Sequence, residues 1–224
     1  MKFIKRHLPE TEYYPVKYKK EQIYLHHTVS STAMSALNWW EQDGVHVATA
    51  YVIDKDGTIY EAYNPKYWSY HLGLRGTGGK IDKKSVGIEI VNEGWLTKKN
   101  NVYYWFDGVA IYRDEVFELD NEWRGQKYFA AYTEEQVRAA AILTKFLAYN
   151  LNIPFKFVGN LDYDKNLAYD FSGILSHCNV RTDKTDVSPA FPMEAFMRNV
   201  NILEENPVLP RGLEGLEDTH EKDT

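Results

Sequence analysis

Three short apolar runs constrain this 224-residue chain most: QIYLHHTVS at 22–30, SVGIEIV at 85–91 and GILSH at 173–177. Each has the length and composition of a buried strand that runs into a polar loop. A fourth strand pair reads as a hairpin, ATAYVID (48–54) and TIYEAY (58–63), turning at Asp56-Gly57. Helical patterns lie between these strands. STAMSALNWWEQDG (31–44) carries apolar residues at helical spacing, with Gly44 as its stop. The clearest helix opens YTEEQ: Thr133 is the N-cap and Gln136 completes a capping box. Val137, Ala140, Ala141, Thr144, Phe146 and Leu147 give it one broad apolar face, and Pro154 ends it. PMEAFMRNVNILEE (192–205) reads as a last helix. Strands interleaved with helices predict an α/β fold, a mixed sheet covered by helices.

The rest of the chain reads as trimmings on one domain spanning 21–205. Residues 1–20 are polar, carry two prolines and are expected to lie over the domain as an extended arm. VYYWFDGVAIYRDEVFEL (102–119) reads as a second hairpin, turning at Asp107-Gly108. The acidic, breaker-rich end, 206–224, is expected to be mobile. A formal net charge of -6 gives no support to nucleic-acid binding through a general positive field. The single cysteine, Cys178, excludes an internal disulfide. No apolar run approaches the ~18 residues that span a bilayer, so no membrane insertion is expected. The opening MKFIKRHLPETEYYPVKYKK is charged but has no apolar stretch after it, unlike a signal peptide. The chain is therefore expected to be made in the cytoplasm. Aromatic residues reach 15%, with 17 Tyr and 6 Trp, which suits half-wet sugar or peptide grooves.

Chemistry concentrates at strand ends. His26 and His27 alternate to opposite faces of their strand, so one of them at most serves a given site. The same alternation separates His177 from Cys178, which reads as a small buried hydrophobe. Taken singly, each histidine is better explained by a satisfied hydrogen bond at a strand end. Taken together, His26, His177 and the nearby Asp186 make the three-ligand pattern of catalytic zinc, with a fourth position left for water. Glu89, inside SVGIEIV, is either a residue on a solvated face or a general base beside the metal. Lys184 is either a surface lysine or the cation that stabilises an oxyanion.

These residues, in this order, resemble the type 2 zinc-dependent N-acetylmuramoyl-L-alanine amidases, which include phage endolysins, wall-recycling enzymes and peptidoglycan recognition proteins. IYLHHT resembles the first-ligand strand, AYVIDKDGTIYEAY the hairpin, SVGIEIVNEG the strand of the catalytic glutamate, and SHCNVRTDKTDVSPAF the closing motif. WSYHLG resembles a Trp-His-x-Gly element, with Trp68 and His71 two residues further apart than usual. The long helix from Thr133 sits where the family has one. The resemblance runs over roughly 20–200. It departs from the family at Asp186-Val187-Ser188-Pro189, where Asp-Pro-Gly-Pro is usual, and at 95–130, a longer aromatic-rich insertion.

The resemblance implies a mixed central β-sheet flanked by helices on both faces. It implies Zn2+ held by His26, His177 and Asp186, catalysis by Glu89 and Lys184, and substrate contacts from Trp68 and His71. The implied reaction is hydrolysis of the amide between N-acetylmuramic acid and L-alanine in peptidoglycan or muropeptides. A phage-type endolysin released by a holin is the expected setting. A cytoplasmic muropeptide-recycling amidase, a peptidase of the stem peptide, a structural virion or interaction protein, and a non-catalytic binding module on the same fold are the rival readings.

Overall fold

The computed structural model describes residues 2–42, 44 and 46–205. In chain order the strands are β1 Phe3–Lys5, β2 Gln22–His27, β3 Tyr51–Ile53, β4 Ile59–Glu61 and β5 Ser85–Ile90. They continue as β6 Trp95–Lys99, β7 Val102–Tyr104, β8 Ile111–Tyr112, β9 Val116–Trp123, β10 Gln126–Ala130 and β11 Gly173–Ser176. The helices are α1 Ala33–Trp40, α2 Lys80–Lys83, α3 Glu134–Asn150, α4 Leu167–Asp170 and α5 Met193–Glu205.

The central sheet has the order β1-β4-β3-β5-β2-β11. Strands β3, β5, β2 and β11 are parallel neighbours, and the β3–β4 hairpin is antiparallel. The sheet is therefore mixed, as the interleaved pattern predicts. Strands buried on both faces need apolar residues on both, and that is why β2 and β11 read as continuous runs. Ile23, Leu25, Val86, Ile88, Ile90 and Ile174 join one core with Val137, Ala140, Leu143, Leu147 and Phe196 of α3 and α5. Tyr24 and Leu175, which alternate to the opposite face, pack instead with Leu72, Ile81 of α2, Ala168 of α4 and Val180. Helices thus flank both faces. Each fully buried large side chain contributes about 1.5–3 kcal/mol, so the sheet register is held from both sides.

The α3 capping box forms as read, with Thr133 and Gln136 each accepting a backbone N–H from the other. The Asp56-Gly57 turn forms too, with Gly57 at φ 76°. Two segments differ from expectation. Residues 3–5 do not merely lie over the domain; they add a parallel edge strand beside β4, and Leu8 and Tyr13 enter the core. Residues 102–119 are not one hairpin. Only 102–112 folds back on itself at Gly108. Strand β9 pairs instead with β10. The result is a separate antiparallel sheet, β8-β7-β6-β10-β9. Strands β7 and β9 carry only half-buried and exposed residues, with no regular alternation, which explains why their pairing is weakly written in the sequence. The segment 206–224, expected to be mobile, lies outside the described residues.

Candidate metal centre and active site

Three parallel strands bring the chemistry together at their carboxyl ends, the usual ligand edge of such a sheet. His26 is paired in register with Glu89 across β2 and β5, so both side chains leave the same face. Ser176 pairs with Leu25 across β11 and β2, which places His177 beside His26 one residue later. His27 points the other way and bonds Tyr132 Oη at 3.0 Å.

His26 Nδ1, His177 Nδ1 and Asp186 Oδ2 form a nearly equilateral triangle. The sides are 3.0 Å between the two nitrogens, 3.0 Å from His26 to the carboxylate and 2.9 Å from His177 to it. All three residues are buried. The outer hydrogen bonds decide what occupies the triangle. His177 Nε2 donates to the Leu72 carbonyl, 3.0 Å away, which leaves its Nδ1 bare when neutral. A second chain fixes His26. Ser85 Oγ donates to Asp82 O at 3.3 Å and accepts from His71 Nε2 at 2.8 Å. His71 Nδ1 then accepts from His26 Nε2 at 3.0 Å, which leaves His26 Nδ1 bare as well. Two imidazole lone pairs and a carboxylate oxygen therefore face one another with no proton between them. Each such buried, unsatisfied atom costs about 1–3 kcal/mol, and more when charged. A cation at the centre removes the conflict. These three residues are the group that can hold a metal among the described residues, and two imidazoles with one carboxylate suit zinc.

The electrostatics of His26 and Asp186 suit a metal. Burial, then the neighbouring His177, lowers the His26 pKa to about 4. Burial, then His26, holds His71 well below the usual histidine value. Burial pushes the Asp186 carboxyl up, but His177 and His26 outweigh it and hold the group well below the usual range. Ligands that stay deprotonated at neutral pH are what metal binding needs. Gly87 makes room for this arrangement: a Cβ there would stand 2.6 Å from Thr49 and 3.1 Å from His71 Nδ1.

Glu89 does not lie on a solvated face. Its Oε2 is buried without a hydrogen-bond partner. Burial, then the charge of Asp186, raises its pKa well above the usual carboxyl value, while Lys184 pulls in the opposite direction. The Lys184 charge also acts on His26, so the lysine lies near enough for its charge to be felt at the cluster. Glu89 forms part of the wall of a cleft of about 310 Å³, with Thr28, Ser30 and Ser35 and the indoles of Trp39 and Trp40.

Of the seven residues singled out in the sequence, His26, His177, Asp186, His71, Glu89 and Lys184 converge. Trp68 does not. It is 6% exposed, stacks on Tyr14 at 4.1 Å and carries Lys83 over its ring. It anchors the N-terminal segment. Trp39, 70% exposed at the mouth of the Glu89 cleft, is the aromatic beside the chemistry. Helical spacing in α1 was visible in the sequence, but which of two adjacent tryptophans on the cleft stays exposed was not.

Residues 17–189 match the model of the N-acetylmuramoyl-L-alanine amidase family. No curated protein matches the sequence. Solved structures are similar in fold. A mutant endolysin from Bacillus subtilis is 16% identical, with a TM-score of 0.55, 89% of this chain covered and 99% of that one. The Staphylococcus aureus hydrolase AmiA, solved with its ligand, is 13% identical, with a TM-score of 0.53, 94% of this chain covered and 88% of that one. The Escherichia coli N-acetylmuramyl-L-alanine amidase AmiD, solved with anhydro-N-acetylmuramic acid-L-Ala-D-γ-Glu-L-Lys, is 18% identical, with a TM-score of 0.53, 83% of this chain covered and 59% of that one. The match covers more than half of the chain, so the chain belongs to the type 2 N-acetylmuramoyl-L-alanine amidase family and is an enzyme of that kind, a hydrolase of peptidoglycan.

Proposed function

We propose that the chain cleaves the amide between the lactyl group of N-acetylmuramic acid and L-alanine, with zinc held by His26 Nδ1, His177 Nδ1 and Asp186 Oδ2. The triangle of proton-free donor atoms carries this reading. When bound, the metal supplies Lewis acidity, which lowers the pKa of water toward ~7 and polarises a carbonyl. The chain's own residues do the rest. Glu89 Oε2, unpartnered and raised in pKa, accepts a proton from the attacking water. The water oxygen bonds to the carbonyl carbon. Lys184 places a positive charge against the oxyanion that forms. Glu89 returns its proton to the amide nitrogen, the C–N bond breaks, and the peptide leaves as a free amine. The Glu89 cleft has hydroxyls and indoles but no cation among its lining residues, which favours the uncharged muramoyl side of the substrate over the acidic peptide.

The setting we propose is that of an endolysin acting on polymeric wall. The inserted sheet supports it, because Phe106, Val109 and Ile111 stand exposed there and widen the surface open to a polymer. No helix among the described residues is long and apolar enough to cross a membrane. Product masses test both parts. The purified protein is incubated with intact peptidoglycan and with soluble muropeptides, with and without a zinc chelator. Release of free stem peptides that stops with chelator is the expected result. Products cut within the stem peptide contradict the bond assignment, and turnover of muropeptides alone contradicts the endolysin setting.

A further inference from the structure

Among the described residues, one side chain of the inserted sheet hydrogen-bonds the segment that carries Lys184 and Asp186. Strands β9 and β10 are joined by Arg124 and Gly125, both at positive φ, 52° and 76°. Such a two-residue turn favours Asn-Gly, and arginine at φ > 0 is uncommon. Here the arginine has an occupation. Its Nη2 donates to Cys178 O at 2.8 Å. Its Nη1 donates to Arg181 O at 2.8 Å, Thr182 O at 3.2 Å and Lys184 O. Four carbonyls of the segment that leads from His177 to Asp186 thus converge on one guanidinium. The segment contains no helix or strand beyond the short turn at 177–179. Its backbone acceptors have few other ways to be satisfied.

The hairpin that presents Arg124 is itself fixed. Phe129 of β10 is fully buried in the main core, and Trp123 and Leu119 of β9 pack against that core. At the other end of the insertion, Lys55 of the β3–β4 turn reaches Asp114 at 2.8 Å and Glu93 at 2.7 Å. On the far side of the same segment, Arg181 donates to Leu72 O and Gly73 O, each at 3.1 Å. Leu72 O is also the carbonyl that orients His177. The segment is held between the insertion and the His71 loop.

We propose that Arg124 is a positioning residue: the inserted sheet reaches back to set the backbone that carries Lys184 and Asp186. The inference rests on the roles given to those two residues above. A planar guanidinium with several donors spans separated carbonyls, and a lysine ammonium does not, so Arg124→Lys fails where a purely electrostatic role would survive.

The test uses the full chain with Arg124→Ala and Arg124→Lys, read in three ways. Hydrogen exchange over residues 178–186 is expected to rise in Arg124→Ala while exchange in α3 stays as in the wild type. Zinc affinity, measured by chelator competition without substrate, is expected to fall ~10- to 100-fold, the range for lost outer-shell partners. For kcat, a fall of at least about tenfold with KM within about threefold is expected, the signature of a misplaced transition-state contact. Added guanidinium ion is expected to restore part of kcat to Arg124→Ala. Wild-type zinc affinity and kcat in Arg124→Ala overturn the proposal. So does exchange that rises equally throughout the domain, which marks a merely structural residue. If the wild type hydrolyses no muropeptide, the amidase roles fall, yet the exchange and metal arms still decide whether Arg124 holds the loop.

Discussion

The central sheet and the inserted sheet solve different problems with the same element. In the central sheet the strands that meet at the site, β5, β2 and β11, are parallel, and β2 and β11 are buried throughout. Pairing register then becomes chemistry, because His26 faces with Glu89 and His177 follows alongside. In the inserted sheet the strands are antiparallel and half exposed, and register places no polar cluster of comparable burial. Its link to the site is a guanidinium bonded to backbone. The contrast is that the core sheet gathers polar side chains by register, whereas the insertion reaches the same place through bonds to main chain.

This contrast predicts a ranking. Glu89→Gln removes the group proposed to move the proton and is expected to cost kcat about 10²- to 10⁴-fold, with zinc still bound. Full activity in that variant breaks the assignment. The same change carries a stability signature in chelated protein. The Glu89 pKa is raised in the folded state, so the native carboxyl opposes folding as pH rises through that raised value. Glu89→Gln is therefore expected to melt higher than wild type at neutral pH. The gain vanishes below the ordinary carboxyl pKa of 4.5, where the carboxyl is protonated folded or unfolded. Thermal melts across pH read this directly.

Lys184→Met comes next, with an expected loss of about 10²- to 10³-fold in kcat. It also has a signed pH effect. Lys184 lowers the Glu89 pKa, so its removal shifts the acid limb of kcat/KM to higher pH. A limb that moves down contradicts the placement of the lysine. His71→Ala breaks the chain that holds His26 and is expected to weaken zinc binding ~10- to 100-fold, measured by chelator competition. The smallest effect belongs to the exposed tip of the insertion. Val109→Ser, at a side chain 77% exposed, is expected to change stability by no more than about 0.5 kcal/mol, leave muropeptide turnover unchanged and slow the clearing of intact peptidoglycan. A loss on muropeptides would mean that the tip acts on the catalytic centre and not on the polymer.

The same contrast governs how much could be read in advance. Strand alternation separated His26 from His27, and the structure puts them on opposite faces with different partners. The spacing of Lys184 and Asp186 after His177 was local and readable. Sequence alternation left Glu89 open between a solvated face and a site, and only the neighbouring strands and α1 show that its carboxyl is covered. The burial of Trp68 was not legible, because the N-terminal segment, read as an arm, supplies Tyr14 to cover it. Arg124 was illegible. Nothing local to a turn says that its side chain meets carbonyls more than fifty residues away. The orientation of His71 toward His26 likewise depends on Ser85 and on the space left by Gly87.

The most direct test is zinc titration of metal-free protein by calorimetry, on the wild type and on His177→Ala and Asp186→Ala. The geometry predicts one tight zinc per wild-type chain and a large loss of affinity in either variant, with the fold retained. A wild type that takes up no zinc, or one whose affinity is undiminished when Asp186 is removed, contradicts the three-ligand centre.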